Sequence, residues 1–238
     1  MSFDTVFVAN RGEIAVRVIR TCRALGLRTV VGYSEADRGS LPTRLADRAV
    51  CLGPARSADS YLRIPTVVAA ALGTGAQAVH PGYGFLSENP EFGRQCAAAG
   101  LVLIGPTPTQ LERIGDKLAA RQAAIEAGVP VVPGEAVDTP EAAQRVAAEL
   151  GFPVLLTAVA GGAGRGMKRV DAPAELAERC ALATAEASAA VGDPRLYVEA
   201  CVATGRHVEV QLLGAGARVL HPGERDSSGQ RRDQKVLE

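Results

Sequence analysis

Net charge is what this chain most plainly lacks. Its 26 basic residues are balanced by 26 acidic ones, so no broad basic surface is implied and nucleic acid is not expected as a partner. Histidine is scarce as well. His80, His207 and His221 lack metal-ligand spacing, and no metal ligand is assigned. The five cysteines (Cys22, Cys51, Cys96, Cys180 and Cys201) form no C-x-x-C pair. An odd, scattered set argues against a disulfide framework and fits small buried hydrophobes in a reducing, cytoplasmic setting. No apolar run reaches the ~18 residues of a membrane span, and Met-Ser-Phe-Asp-Thr offers no basic start to a signal peptide. What is present is 47% hydrophobic and 22% charged over 238 residues, ordinary for one or two globular domains.

Lysine is the last scarcity. Only Lys117, Lys168 and Lys235 stand among the 26 basic residues; the rest are arginine. A compact ammonium suits a phosphate or a small anion, so each lysine marks either such a place or chance.

The chain opens as a βαβ unit. Thr5 to Ala9 is a short apolar strand, and Ile14, Val18, Ile19, Cys22 and Leu25 recur at helical spacing until Gly26 stops the helix. Arg28 to Tyr33 is the next strand, which predicts a doubly wound parallel sheet. Further strands are predicted at Ala49–Leu52, Ala76–His80 and Leu101–Ile104, with helices at Ile64–Leu72 and Pro90–Ala99. Gly115-Asp116-Lys117 opens another helix, and Gly128 to Gly134, with two prolines and two glycines, reads as a hinge. Beyond it Thr139 caps a helix that ends near Gly151, and a long helix covers Pro173 to Val191 before a strand at Leu196–Glu199.

Between these two helices lies the densest glycine cluster, Gly161-Gly162-Ala163-Gly164-Arg165-Gly166, flanked by the strands Phe152–Leu156 and Met167–Val170. Such a loop brings backbone N–H groups close to a ligand. It is not a Walker A loop, since Met167 stands where the lysine belongs, and it lacks the G-x-G-x-x-G spacing. Alone it fits a plain hairpin turn or a phosphate flap. Arg206 to Leu213 alternates strictly, His207, Glu209 and Gln211 on one face and Val208, Val210 and Leu212 on the other. The apolar face is expected to pack on the core, leaving the polar face solvated or turned to a ligand. Glu224 to Lys235 is dense in charge, a solvated loop or the lining of an anion site.

Several stretches together resemble one family. Ala9-Asn10-Arg11-Gly12-Glu13-Ile14-Ala15 is similar to the N-terminal signature of biotin carboxylases, and His80-Pro81-Gly82-Tyr83-Gly84-Phe85-Leu86-Ser87-Glu88-Asn89 to the second. Gly115-Asp116-Lys117, the glycine loop and Glu224 to Lys235 match in the same order. The two long strings distinguish the chain from other ATP-grasp ligases that share only a lid. The resemblance implies a Rossmann-like domain over 1–114, a linking helix and hinge over 115–130, an ATP-grasp lid over 131–201 and the start of the C-terminal ATP-grasp domain over 202–238.

It also implies a reaction. Bicarbonate attacks the γ-phosphate of ATP to give carboxyphosphate, and the carboxyl passes to the ureido nitrogen of biotin on a carrier domain. ATP and magnesium are the expected cofactors, and a biotin carboxyl carrier and a carboxyltransferase the expected partners, with a homodimer possible. By position, Lys117 resembles a phosphate contact, and Gly161, Gly162, Ala163 and Gly164 resemble the flap. Glu199, Ala200, Cys201 and Val202 resemble the segment beside adenine. His207 and Gln230 resemble nucleotide contacts, and Lys235 a bicarbonate or phosphate ligand with a catalytic role. Four positions depart from the pattern: Thr157 stands where the family has a lysine on the phosphates, Asp233 where it has a histidine, Ala163 where it has a loop glycine and Ser228 where it has a cysteine. The family's magnesium-binding glutamates and catalytic arginine are expected beyond Glu238. The chain is therefore expected to be either part of an active carboxylase or a non-catalytic relic with at most weak ATP binding.

Overall fold

Val6, Phe7 and Val8 have no solvent exposure, and the strand they form, β1 (Thr5–Val8), runs down the middle of a parallel sheet. A central parallel strand is covered on both faces, which is why it reads as an unbroken apolar run. The computed structural model describes residues 3–159, 167–216, 218–231 and 234–235. It divides into two compact units, Met1–Ala120 and Arg121–Glu238.

In the first unit β1 is followed by α1 (Gly12–Ala24), β2 (Arg28–Ser34), α2 (Leu41–Leu45), β3 (Arg48–Gly53), α3 (Ile64–Gly73), β4 (Ala78–His80), α4 (Pro90–Ala98), β5 (Val102–Leu103) and α5 (Pro108–Gly115). The strands lie in the order β3-β2-β1-β4-β5, and every pairing is parallel. α1 buries Ala15, Val18, Ile19 and Cys22 against Val6, Val8 and Val31. The other face of the sheet packs Phe7, Val30 and Val79 against Tyr61, Val67, Phe92 and Cys96. Each fully buried Val, Leu, Ile or Phe contributes about 1.5–3 kcal/mol. α1 stops where Gly26 takes φ +73°, and Leu27 N–H returns to the Cys22 carbonyl at 2.8 Å. α5 lies where no helix is predicted; Thr107 and Gln110 form a reciprocal cap at its start, with Pro108 in its first turn.

The next helix, α6 (Lys117–Glu126), contains the division between the units. The second unit continues with β6 (Gly134–Val137), α7 (Pro140–Leu150), β7 (Val154–Ala158), β8 (Lys168–Val170), α8 (Pro173–Val191) and β9 (Leu196–Ala200). Its sheet is antiparallel, in the order β6-β9-β7-β8. One face buries Val137, Val154, Leu156, Val170 and Val198 against α7 and α8.

After β9 come short strands: β10 (Val208–Val210), β11 (Leu213–Ala215), β12 (Arg218–Leu220), β13 (Glu224–Asp226), β14 (Gln230–Arg231) and β15 (Gln234–Lys235). They pair as separate two-stranded ribbons. Here the structure corrects the sequence reading. The apolar face at Val208 and Val210 is not packed on the core; these residues are 47% and 49% exposed. The ordered contact is instead on the polar face, where Arg225 donates to Glu209 from Nε at 3.0 Å and Nη2 at 2.8 Å across the β10–β13 pair. This charge-assisted pair links the two strands of the ribbon on its polar face.

Candidate functional site

Strand order in the parallel sheet reverses between β1 and β4. In open α/β sheets the crevice at the carboxyl ends of the strands flanking that reversal is where ligands bind. Both signature strings follow those two strands. Asn10, only 3% exposed, closes the crevice floor. Its Nδ2 donates to the carbonyls of Pro81 at 2.7 Å and Tyr83 at 2.8 Å, and its Oδ1 accepts from Arg11 N–H at 2.8 Å. Gly82 sits at φ +65°, and a Cβ there would lie 2.8 Å from Asn10 Nδ2, so the close approach requires glycine. The Gly82 N–H donates to His80 Nδ1 at 3.0 Å. His80 is therefore held neutral with its proton on Nε2, and burial keeps its pKa below the usual imidazole value.

The rim is aromatic and charged. The Tyr83 hydroxyl donates to the Glu13 carboxylate. Phe85, at φ +45°, stacks on Tyr61 with ring centroids 4.9 Å apart, and the Arg11 guanidinium lies 5.8 Å from both rings. Asp37 accepts from Tyr61 Oη at 2.7 Å, Ser34 Oγ at 2.9 Å and Arg11 Nη1 at 3.4 Å. Burial opposes ionisation of Asp37, but these donors outweigh it and lower its pKa. Tyr61 is pushed up to about 12, first by burial and then by the Asp37 carboxylate. Asp37, Ser34 and Tyr61 escaped the sequence reading because no motif spacing links them to Arg11.

In the second unit, antiparallel register sorts the side chains. Leu156 pairs with Val198 and points into the helix-covered core; Thr157 pairs with Tyr197 on the opposite face. Thr157 is 7% and Tyr197 1% exposed. Arg121 reaches that face: its guanidinium lies 5.3 Å from the Tyr197 ring centroid and also donates to the Val132 carbonyl. Glu199 shares the face, paired with Leu155, and Ala200 ends β9 with its N–H on the Pro133 carbonyl at 2.9 Å. Cys201 N–H follows onto the Pro153 carbonyl at 3.1 Å, and Val202 is exposed.

His207 and Gln230 meet at 3.2 Å through Nδ1 and Nε2, and Gln230 pairs with Lys235 across β14–β15. Lys117 begins α6, half-buried, and Asp116 Oδ1 caps the first turn through Ala119 N–H at 2.7 Å. Lys168 lies on the helix side of the sheet and pairs with Glu186 at 2.9 Å, so the anion it serves is a carboxylate of its own chain. Gly161, Gly162, Ala163, Gly164 and Asp233 lie outside the described residues. A half-open cavity of about 370 Å³ between α7 and α8, lined by Thr139, Cys180, Thr184 and Ser188, contains none of the expected site residues. Among the described residues no three His, Cys, Asp or Glu side chains come together as a metal site.

Residues 2–111 match the biotin carboxylase N-terminal domain, and residues 116–238 match the ATP-binding domain of the carbamoyl-phosphate synthase large chain. The chain belongs to the biotin carboxylase family. It is 46% identical to the biotin carboxylase of Nostoc sp. and 47% identical to that of Pseudomonas aeruginosa, covering 100% and 99% of this chain and 54% and 53% of those proteins. It spans about half the length of the curated relatives it matches. Among solved structures, a biotin carboxylase complex with β,γ-ATP from Campylobacter jejuni matches 99% of this chain and 53% of its own, at 44% identity and TM-score 0.94. A biotin carboxylase domain dimer of the Hydrogenobacter thermophilus 2-oxoglutarate carboxylase, solved with MgADP, ADP and bicarbonate, matches 99% and 52%, at 43% identity and TM-score 0.92. The family is one of ATP-binding ligases with an ATP-grasp type domain.

Proposed function

We propose that this chain supplies the N-terminal part of a biotin carboxylase acting in a cytoplasmic acetyl- or acyl-CoA carboxylase, which carboxylates biotin on a carrier protein with bicarbonate and ATP. The observation that carries this is the hinge of hydrogen bonds from Asn10 to Pro81 and Tyr83. It joins the two long family signatures into one crevice at the switch point of the sheet. On this reading residues 1–114 form the Rossmann-like domain, 115–130 the link, 131–201 a lid and 202–238 the start of the third domain. Lys117, the glycine loop and the His207–Gln230 pair hold the nucleotide, with Glu199 to Val202 beside the base. Lys235 holds bicarbonate or phosphate. Magnesium, when bound with ATP, neutralises phosphate charge; no step is assigned to it from these residues. The partners are a biotin carboxyl carrier and a carboxyltransferase.

Thr157 and Asp233 favour a second reading, a chain that binds ATP weakly and does not turn over. One experiment separates the two. The chain is joined at Glu238 to the remainder of the Pseudomonas biotin carboxylase, and ATP hydrolysis dependent on both bicarbonate and biotin is measured. Turnover supports the first reading; a folded, nucleotide-binding but inactive chimera supports the second; a folded chimera that binds no nucleotide removes both.

A further inference from the structure

We infer that Arg121 is an anion-binding residue of the nucleotide site, taking the phosphate charge that Thr157 cannot. This rests on the nucleotide-binding reading above and extends it to a residue that no motif marks.

The placement comes from strand register. Thr157 stands on the face of the antiparallel sheet opposite α7 and α8, beside Tyr197 on the next strand. A threonine hydroxyl offers a hydrogen bond but no charge. Arg169 of β8, paired with Leu155, also lies on this face, but it holds Asp171 at 2.7 Å; a second cation arrives from another element, the Arg121 guanidinium, 5.3 Å above the Tyr197 ring. Tyr197 is itself buried at 1% exposure, so the guanidinium stands over a rigid, poorly hydrated platform, where a charge acts more strongly than in open water. Its bond to the Val132 carbonyl uses one of the five N–H donors that an arginine carries, leaving the fork able to take a phosphate oxygen. Glu199 is the acid on the same face; a base amine or a cationic neighbour suits it better than a phosphate. The ligand class is therefore a nucleoside polyphosphate, with its charged tail on the Arg121 side.

The test compares ATP with adenosine, because Arg121 also braces Val132 and Tyr197, and a merely structural loss would weaken both ligands alike. Calorimetry on the full chain measures ATP, and ligand-observed NMR measures adenosine, for the parent, Arg121→Ala, Arg121→Lys and the control Arg145→Ala on the opposite side of the sheet. Circular dichroism checks that each variant is folded. The expected result is a loss of about tenfold or more in ATP affinity for Arg121→Ala, with adenosine and Arg145→Ala within about twofold and Arg121→Lys intermediate. Unchanged ATP affinity in Arg121→Ala, or equal loss for ATP and adenosine, overturns the inference while leaving the nucleotide reading in place. A parent chain that binds adenosine and ATP equally also overturns it, and one that binds neither overturns both.

Discussion

Asn10 and Tyr83 are separated by 73 residues, yet the Asn10 amide donates to the Tyr83 carbonyl at 2.8 Å. The same nitrogen serves Pro81 at 2.7 Å, so one buried side chain ties the turn after β1 to the loop after β4. Removing it leaves two carbonyls and the Arg11 N–H to be satisfied by water that the crevice floor barely admits. Each stranded buried polar group costs about 1–3 kcal/mol. Asn10→Ala is therefore expected to destabilise the chain by roughly 2–4 kcal/mol. Asn10→Asp should be nearly as damaging, because a carboxylate cannot donate. Urea unfolding measures both; a loss under about 0.5 kcal/mol in either variant contradicts this bracing role.

Tyr61 carries two hydrogen bonds through one oxygen. It donates to Asp37 at 2.7 Å and accepts from Ser34 N–H at 3.0 Å. Tyr61→Phe keeps the stack on Phe85 and removes both bonds, which should cost about 1–3 kcal/mol. The variant also tests linkage. Asp37 has a lowered folded pKa, so the stability it contributes is present above the ordinary aspartate range and is lost as pH falls through its folded value. Without the Tyr61 donor that acid-side loss should shrink. An unchanged acid limb in the urea midpoint would show that Tyr61 does not set the Asp37 ionisation.

His80 predicts a pH dependence nearer neutrality. Its ring accepts the Gly82 N–H at 3.0 Å, and burial lowers its pKa from the model-compound value of 6.5. Between 6.5 and the lower folded value, the unfolded chain binds more protons than the folded one. Stability should thus be full above pH 6.5 and decline as pH falls below it. Urea midpoints at pH 7.5 and 5.5 should show the decline in the parent and less of it in His80→Gln. A parent whose midpoint rises on acidification would contradict the assignment.

The α/β framework was legible because its signals are local. The helical spacing from Ile14 to Cys22, the glycine stop at Gly26 and the bounds of Pro173–Val191 each follow from a few neighbouring residues. β6 was hidden because Gly-Glu-Ala-Val has no usable period. It is a strand because Gly134 approaches β9 so closely that a Cβ would lie 2.6 Å from the Val198 carbonyl oxygen. α5 could have been found from its Thr107–Gln110 cap. In β10 the alternation was real, but burial did not follow it; the Arg225–Glu209 pair orders the polar face instead. At the site, both signature strings were readable as strings. What the sequence could not show is that Asp37 and Tyr61 lie under Arg11, or that Arg121 lies over Tyr197, since those contacts depend on which strands become neighbours.

Register makes the last prediction a sharp one. Thr157 and Leu156 are adjacent in sequence, but successive residues of a strand face opposite ways. Thr157 pairs with Tyr197 away from the helices, whereas Leu156 has no exposure and packs beneath α7 and α8. A lysine at 157 can extend its ammonium along the face that Arg121 already occupies; one at 156 must bury a charge among aliphatic side chains, which folding does not tolerate without a partner. Thr157→Lys is expected to leave the fold intact. Combined with Asp233→His, which removes a negative charge from the segment after β14, it should tighten ATP binding by about tenfold or more, the worth of one charge-assisted hydrogen bond. Leu156→Lys should unfold the second unit at room temperature. Calorimetry with ATP and circular dichroism read the two effects separately. Should Thr157→Lys with Asp233→His fold normally and bind ATP no better than the parent, the sheet face at residue 157 does not meet the phosphates, and the weak-binding reading loses its structural cause.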